Sequence, residues 1–209
     1  MSALRTPLLL ILAVCIAAFA IDTSPVRAGT EIVTDDSTAI AKPSRRTFVL
    51  TDGWGRTISD DDLIGHYLLV YFGYTFCPDV CPTSMITIAE VLDKLGDDAS
   101  RIVPLFISVD PKRDTPKHLR EYTSMFDERI IGLTGKKEFI DAAVDAYNVR
   151  YEIVEADPND PDNYTIDHSS SVAFVAPDGR IITRFGHGLT TDEIVRRIKK
   201  TFVADPLQN

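Results

Sequence analysis

The stretch Tyr67–Pro82, YLLVYFGYTFCPDVCP, carries the clearest structural signal in the chain, because a continuous apolar run leads directly into two cysteines that are each followed by a proline. The run from Tyr67 to Tyr74 is apolar at every position, which is typical of a strand covered on both faces. Pro82 suits the first position of a helix, and apolar residues follow it at helical spacing. The sequence therefore predicts a central strand, a loop carrying Cys77 and Cys81, and a helix that begins at the second proline.

The rest of the chain repeats this alternation of strand and helix. Turn signatures at residues 52–55 and at Asp178-Gly179 predict a hairpin before the central strand and another near the end of the chain. Further strands are predicted in RIVPLFISVD, RIIGL and VRYEIVEA, further helices from Pro116 and over residues 136–147 and 191–202, and a polar loop over residues 157–167. The predicted fold class is α/β, with a mixed central sheet flanked by helices on both faces.

Residues 1–28 differ from the remainder. Arg5 precedes an unbroken apolar run over residues 8–21, and Val26 and Ala28 form the small-residue pair of a cleavage site. This pattern predicts an export signal peptide or a short membrane anchor. Residues 29–45 are polar and aperiodic, as expected of a flexible tether, and a folded domain is expected over residues 46–205. The domain is therefore expected outside the cytoplasm, on the periplasmic side, soluble or anchored to the inner membrane.

Length and charge limit the function classes. A chain of 209 residues suits one medium domain with a hydrophobic core and a short appendage. The net charge of −9 argues against nucleic acid as a partner, since phosphate recognition needs a basic face.

The two cysteines allow three chemistries: a disulfide, electron exchange and metal binding. Because they stand between a strand and a helix N-terminus, the helix dipole and unpaired N–H groups are expected to stabilise reactive thiolates. The residue before a proline is pushed out of the α region, so both cysteines are predicted to precede the helix. A disulfide closing so small a loop would add little stability. Two thiolates with at most one more ligand suit Cu(I) better than zinc, but the spacing alone does not choose.

A third ligand would come from one of four histidines. His66, His118 and His187 are most simply surface residues. His168 ends the polar loop just before a predicted strand, and it could reach the cysteines if that strand adjoins the central one. The alternative is a histidine that only caps a strand end. Asp79 lies between the cysteines and either forms a turn or attracts protons and cations.

The segment SVDPKRDTP follows another strand end. Asp114 or Thr115 suits the N-cap of a helix whose first residue is Pro116. Asp110 and Arg113 could also brace the loops around a site.

Three motifs in register, FGYTFCPDVCP, SVDPKRDTP and DHSSSVAFVAPDG, resemble the Sco (SenC) family of copper-binding, thioredoxin-like proteins. The resemblance spans about residues 47–202. It implies a thioredoxin-like fold with an extra N-terminal β-hairpin, and one copper ion per chain, Cu(I) or Cu(II), bound by Cys77, Cys81 and His168. Phe76 departs from the pattern, because some relatives carry a polar residue or a histidine there.

The resemblance also implies a function: delivery of copper, or of reducing equivalents, to the copper A site of cytochrome c oxidase during assembly. The implied partners are oxidase subunit II and a periplasmic copper donor or thioredoxin-like reductant. The protein is expected to act close to the membrane and as a monomer. Three alternatives share these residues: a thiol-disulfide oxidoreductase with incidental copper binding, a peroxiredoxin-like peroxidase, and a copper sensor. Oxidation of the cysteine pair would remove two of three ligands, so copper loading and the disulfide are expected to exclude each other.

Overall fold

The structure, a computed structural model, describes residues 48–155, 160 and 163–204. The predicted signal segment, residues 1–28, and the predicted tether, residues 29–45, lie outside the described residues, as does most of the segment between residues 155 and 163. None of the helices in the described ranges has the length and apolar character needed to cross a bilayer.

Nine strands, four α-helices and two 3-10 helices make up the described part of the chain. In chain order they are β1 (Val49–Asp52), β2 (Thr57–Ser59), a 3-10 helix (Asp60–Leu63), β3 (Tyr67–Gly73), α1 (Val80–Leu95), a 3-10 helix (Gly96–Arg101), β4 (Ile102–Ser108), α2 (Pro116–Ser124), β5 (Ile131–Thr134), α3 (Lys137–Ala146), β6 (Tyr151–Glu155), β7 (Tyr164–His168), β8 (Val172–Val175), β9 (Ile181–Phe185) and α4 (Thr191–Ala204).

Seven of these strands form one mixed sheet in the order β2-β1-β5-β4-β3-β8-β9. The central strand β3 runs parallel to β4 and antiparallel to β8, while β1 and β2 form an antiparallel hairpin that pairs with β5. All seven residues of β3 are buried, as its continuous apolar run predicts. The predicted mixed sheet and the predicted N-terminal hairpin are thus both confirmed.

Helices cover both faces of this sheet. Tyr67 contacts Phe202 of α4, with ring centroids 4.8 Å apart, and α4 in turn packs against α1. Phe72 faces the opposite side, because its number differs from Tyr67 by an odd count and side chains alternate along a strand. Its ring lies 5.4 Å from that of Tyr147, at the end of α3. The sheet therefore lies between helices on its two faces, and its central strand ends close to the start of α1.

The region around β6 and β7 differs from the sequence prediction. β6 does not join the central sheet but forms a separate two-stranded antiparallel sheet with β7. The last residues of the predicted polar loop belong to β7, where Tyr164 and Ile166 are buried and Thr165 and Asp167 are exposed. This alternation marks a half-buried strand, and it was obscured by the acidic and polar residues around it.

The start of α1 also differs. The helix begins at Val80, with Asp79 as N-cap, so Cys81 lies in its first turn rather than before it. The first four N–H groups of a helix have no intrahelical partner, so Pro82 at the third helical position costs no hydrogen bond. The carbonyl of Asp79 accepts the first helical hydrogen bond, from the amide of Thr83 at 3.4 Å.

Candidate metal centre

Two cysteines and a histidine meet at the end of β3. One ligand atom from each of Cys77, Cys81 and His168 lies within 4.8 Å of the other two, and Sγ of Cys81 lies 3.1 Å from Nε2 of His168. Both cysteines are free thiols. Within the described ranges, no other group of three histidine, cysteine or acidic residues is arranged to hold a metal ion. The three candidate ligands predicted from sequence are therefore brought together.

The cysteines are placed by the strand, loop and helix predicted from the opening stretch. Cys77 lies in the loop after β3, where its amide donates to the carbonyl of Tyr74 at 3.3 Å. Cys81 is fully buried in the first turn of α1. It packs so closely on β3 that a Cβ on Gly73 would lie 2.8 Å from its sulfur. A glycine inside a strand often marks such a close approach, and that signal in the sequence was missed.

His168 is the last residue of β7, where it pairs with Tyr151 of β6. The hydroxyl of Tyr74, just beyond β3, accepts a hydrogen bond from the amide of Ile166 at 3.2 Å and ties β7 to the end of the central strand. The His168 ring also makes edge-on contacts with Tyr71 and Tyr74, at centroid distances of 6.0 and 5.9 Å. These contacts hold the imidazole against the cysteine loop.

The hydrogen bonds of His168 define its tautomer. Nδ1 lies 3.1 Å from the carbonyl oxygen of Ser169, and a carbonyl can only accept, so Nδ1 carries the proton. Nε2 is therefore the unprotonated nitrogen, and it is the atom that points at Cys81. Burial lowers the pKa of His168 below its ordinary value, which favours the neutral ring. This is the arrangement by which proteins orient a metal-binding imidazole.

The prediction of a stabilised thiolate is wrong for Cys81 in the metal-free protein. Burial raises the pKa of the Cys81 thiol to about 12, with a smaller contribution from the neighbouring Cys77. A hydrogen bond from the Tyr74 backbone opposes the shift, but it does not offset the loss of water around the sulfur. Cys81 is therefore a protonated thiol until a metal displaces its proton.

The donor set fits a soft metal ion. Two sulfurs and one imidazole nitrogen suit an ion of low coordination number, whereas a structural zinc site is closed by four ligands. The three ligand residues together can hold one ion. Cys77 keeps 7% of its surface exposed and His168 is half-buried, so the group is reachable from one side.

Asp79 and Phe76 do not belong to the ligand group. Asp79 is exposed, its side chain makes no capping hydrogen bond, and its role in proton or cation handling stays a prediction. Phe76 is 54% exposed and packs beside the imidazole of His118, with ring centroids 5.8 Å apart. His66 and His187 are exposed, as predicted, but His118 is half-buried and its Nε2 lies 3.0 Å from Oγ1 of Thr75 in the cysteine loop.

The segment after β4 confirms one of the two predicted N-caps. Thr115 is the N-cap of α2, and its hydroxyl accepts a hydrogen bond from the amide of His118. Asp114 is fully buried instead, bonded to Thr75 and Ser108. The bond to Thr75 could not be read from sequence, because the two residues are 39 positions apart.

Comparisons with known proteins agree with the fold and with a copper-binding family. The SCO1/SenC family model matches residues 36–203. A SCO2-like protein from Rickettsia prowazekii is 41% identical over 152 residues, which cover 73% of this chain and 74% of the relative. The solved structure of ScoI from Bradyrhizobium japonicum with copper bound is similar, with 40% identity and a TM-score of 0.67, and the match covers 73% of this chain and 96% of that one. The solved structure of ScoI from Arabidopsis thaliana with copper bound is similar as well, with 32% identity and a TM-score of 0.70, and the match covers 76% of this chain and 97% of that one.

The expected thioredoxin-like fold with its N-terminal hairpin is confirmed by these neighbours together with the order of the central sheet. The family match covers far more than half of the chain, and the relatives cover most of the same residues. The protein is therefore a member of the SCO1/SenC family.

Proposed function

We propose that this protein is a copper chaperone that delivers copper to the copper A site of cytochrome c oxidase during assembly, with Cys77, Cys81 and His168 as the copper ligands. The observation that carries the proposal is the unprotonated Nε2 of His168, 3.1 Å from a buried free thiol, with its tautomer set by the Ser169 carbonyl. Support also comes from membership in the family and from the two similar proteins whose structures contain copper.

The chain's own residues perform the binding steps. Cys81 gives up its proton on metal uptake, and His168 presents Nε2 without needing to lose one. Bound copper supplies a soft centre that can exchange thiolate ligands with a partner. Return of a proton to Cys81 favours release, because the buried sulfur is stable as a thiol. One accessible side gives a partner's ligands a route to the ion.

The proposal places the domain on the periplasmic side of the inner membrane, near oxidase subunit II. Residues 1–28 would export or anchor it, and residues 29–45 would tether it. A monomer suffices, since one chain supplies all three ligands.

A thiol-disulfide oxidoreductase that reduces the copper A cysteines is the second candidate. The specific observation in its favour is that both cysteines are free and their sulfurs lie within 4.8 Å of each other. This function needs the sulfurs but not the imidazole, so His168 separates the two candidates.

The test uses His168→Ala, with His187→Ala as matched control because that histidine is exposed. The reduced proteins are loaded with one equivalent of Cu(I) without oxygen and mixed with the apo copper A fragment of subunit II. Loss of an outer-shell partner costs about 10–100-fold in metal affinity, so loss of a ligand should cost at least as much. We expect His168→Ala to lose affinity and transfer, while the control keeps both. Unchanged Cu(I) affinity and transfer by His168→Ala would contradict its role as a copper ligand. If the variant loses copper transfer but still reduces the cysteines of the copper A fragment and supports oxidase assembly, the function belongs to the oxidoreductase.

A further inference from the structure

Residues 109–115, between β4 and α2, contact both halves of the metal centre, and we name them the clamp loop. Asp114 bonds the cysteine loop, whereas Asp110 and Arg113 bond the strand that carries His168. None of the three is a candidate ligand.

The first arm of the clamp loop is Asp114. Its carboxylate accepts hydrogen bonds from the amide of Thr75 at 3.1 Å, from the Thr75 hydroxyl at 2.6 Å and from the Ser108 hydroxyl at 2.5 Å. The Thr75 hydroxyl donates its proton to Asp114, so Oγ1 of Thr75 can only accept from His118. Nε2 of His118 therefore carries a proton and donates it to Oγ1 of Thr75. Thr75 stands two residues before Cys77, and this network therefore fixes the loop from which the first sulfur projects.

The second arm is the pair Asp110 and Arg113. Arg113 donates from Nε to Asp110 at 2.5 Å and from Nη1 to the carbonyl of Tyr164 at 2.9 Å, and the Tyr164 hydroxyl donates to Asp110 at 2.6 Å. The guanidinium also stacks over the Tyr164 ring, 3.6 Å from its centroid. Such a planar, forked contact is specific to arginine. It fixes the first residue of β7, the strand whose last residue is His168.

We propose that the clamp loop sets the geometry of the metal centre, with Asp114 as the positioning residue for the cysteine half and Arg113 as the positioning residue for the histidine half. The proposal rests on the proposed function for its metal. The ligands come from segments nearly 90 residues apart, and the direct links between these segments at the centre are the contact between Cys81 and His168, the hydrogen bond from the Ile166 amide to the Tyr74 hydroxyl, and aromatic packing. Both arms belong to one short loop, so that loop sets the distance between the sulfur of Cys77 and the ring nitrogen of His168.

The two arms predict different behaviour. The Arg113 guanidinium also lies 4.8 Å from the centre of the Phe76 ring, beside Cys77, but its hydrogen bonds to Asp110 and the Tyr164 carbonyl act on the histidine half. Arg113→Lys keeps the charge but loses the fork and the stacking plane, so it should loosen His168 more than the cysteine loop. Asp114→Asn keeps the shape but places an NH₂ where an oxygen accepts from the Thr75 amide or hydroxyl, so it should loosen the cysteine loop. Arg113→Lys should therefore matter mainly while His168 is present, and Asp114→Asn should matter equally in either case.

The test measures Cu(I) affinity of the reduced full chain by competition with a colorimetric chelator, for each variant alone and combined with His168→Ala. We expect about a tenfold loss or more for each variant alone, the range for outer-shell partners. In the His168→Ala background, Arg113→Lys should cause a much smaller loss than it does alone, and Asp114→Asn should keep its full effect. An equal loss from Arg113→Lys in both backgrounds would overturn the proposal, as would wild-type affinity in either single variant.

A second readout needs no metal. The equilibrium between the cysteine dithiol and its disulfide, measured against glutathione, should change more for Asp114→Asn than for Arg113→Lys. If wild type fails to bind copper, the proposed function fails, but this readout still tests the clamp: equal behaviour of the two variants would refute it. Thr75→Val and Tyr164→Phe repeat the test by removing one hydroxyl each, should the first variants not fold. Arg180→Lys and Asp178→Asn, an exposed pair in the β8–β9 turn, are the matched controls and should leave both readouts unchanged.

Discussion

Gly73→Ala tests how closely α1 packs on the central strand at the metal centre. The new Cβ would lie 2.8 Å from Sγ of Cys81 and 3.0 Å from a ring carbon of Phe106. Ordinary contact begins at 3.4 Å, so the sulfur must move by about 0.6 Å or the strand must yield. Adding a methyl to a filled core costs about 1–3 kcal/mol of the free energy of unfolding.

The displacement also exceeds what a metal site tolerates, because ligand distances are held to within about 0.2 Å. We therefore expect Gly73→Ala to lower Cu(I) affinity by about 10–100-fold, as outer-shell changes do, and to lower stability as well. Chemical denaturation and chelator competition measure the two effects. Gly186→Ala is the matched control, since its Cβ meets nothing within 4 Å. Wild-type copper affinity in Gly73→Ala would refute the packing argument.

Three further predictions follow from the same site and its supports. Because burial raises the pKa of Cys81 to about 12, Cu(I) uptake must displace the proton of this thiol. The apparent Cu(I) affinity should therefore rise by about tenfold or more per pH unit between pH 6 and 9, and a flat pH profile in chelator competition would contradict this. Because burial lowers the pKa of His168, the apoprotein should lose stability as the pH falls below 6.5, the ordinary pKa of histidine, by up to about 1.4 kcal/mol per pH unit. His168→Gln should remove this loss in urea titrations. Thr115→Ala should cost about 1 kcal/mol in the same titrations and Thr115→Ser much less, since only alanine removes the N-cap of α2; equal costs would exclude the cap as the cause.

The central strand and the cysteine loop could be predicted because their signals are local. The apolar run before Cys77 has no polar position that could face water, and its short length and aromatic and β-branched residues favour a strand covered on both sides. The hairpin turns and the N-cap Thr115 are likewise set by residues within a few positions of one another.

The start of α1 and the state of Cys81 were misread because two effects compete at each. The preference of a residue before proline for extended backbone placed Cys81 before the helix, but Pro82 is tolerated anywhere in a first turn. Helix dipole and unpaired N–H groups favour a thiolate, but complete burial of the sulfur disfavours it more strongly. The extent of burial is a property of the packed structure.

Long-range features could not be derived from local pattern at all. His168 was a candidate from its strand-end position, but its contact with Cys81 depends on β7 pairing with β6 and bonding to Tyr74. Family resemblance supplied the ligand set in advance. The clamp loop bonds, from Asp114 to Thr75 and from Arg113 to Tyr164, join residues 39 and 51 positions apart.

Anaerobic Cu(I) titration of the reduced full chain, followed by X-ray absorption spectroscopy of the loaded protein, measures both the copper stoichiometry and the ligands of the ion. We expect one ion per chain, bound by two sulfurs and one imidazole nitrogen, and no tight binding once Cys77 and Cys81 are oxidised to a disulfide. Absence of uptake, or a copper shell without an imidazole nitrogen, would contradict it.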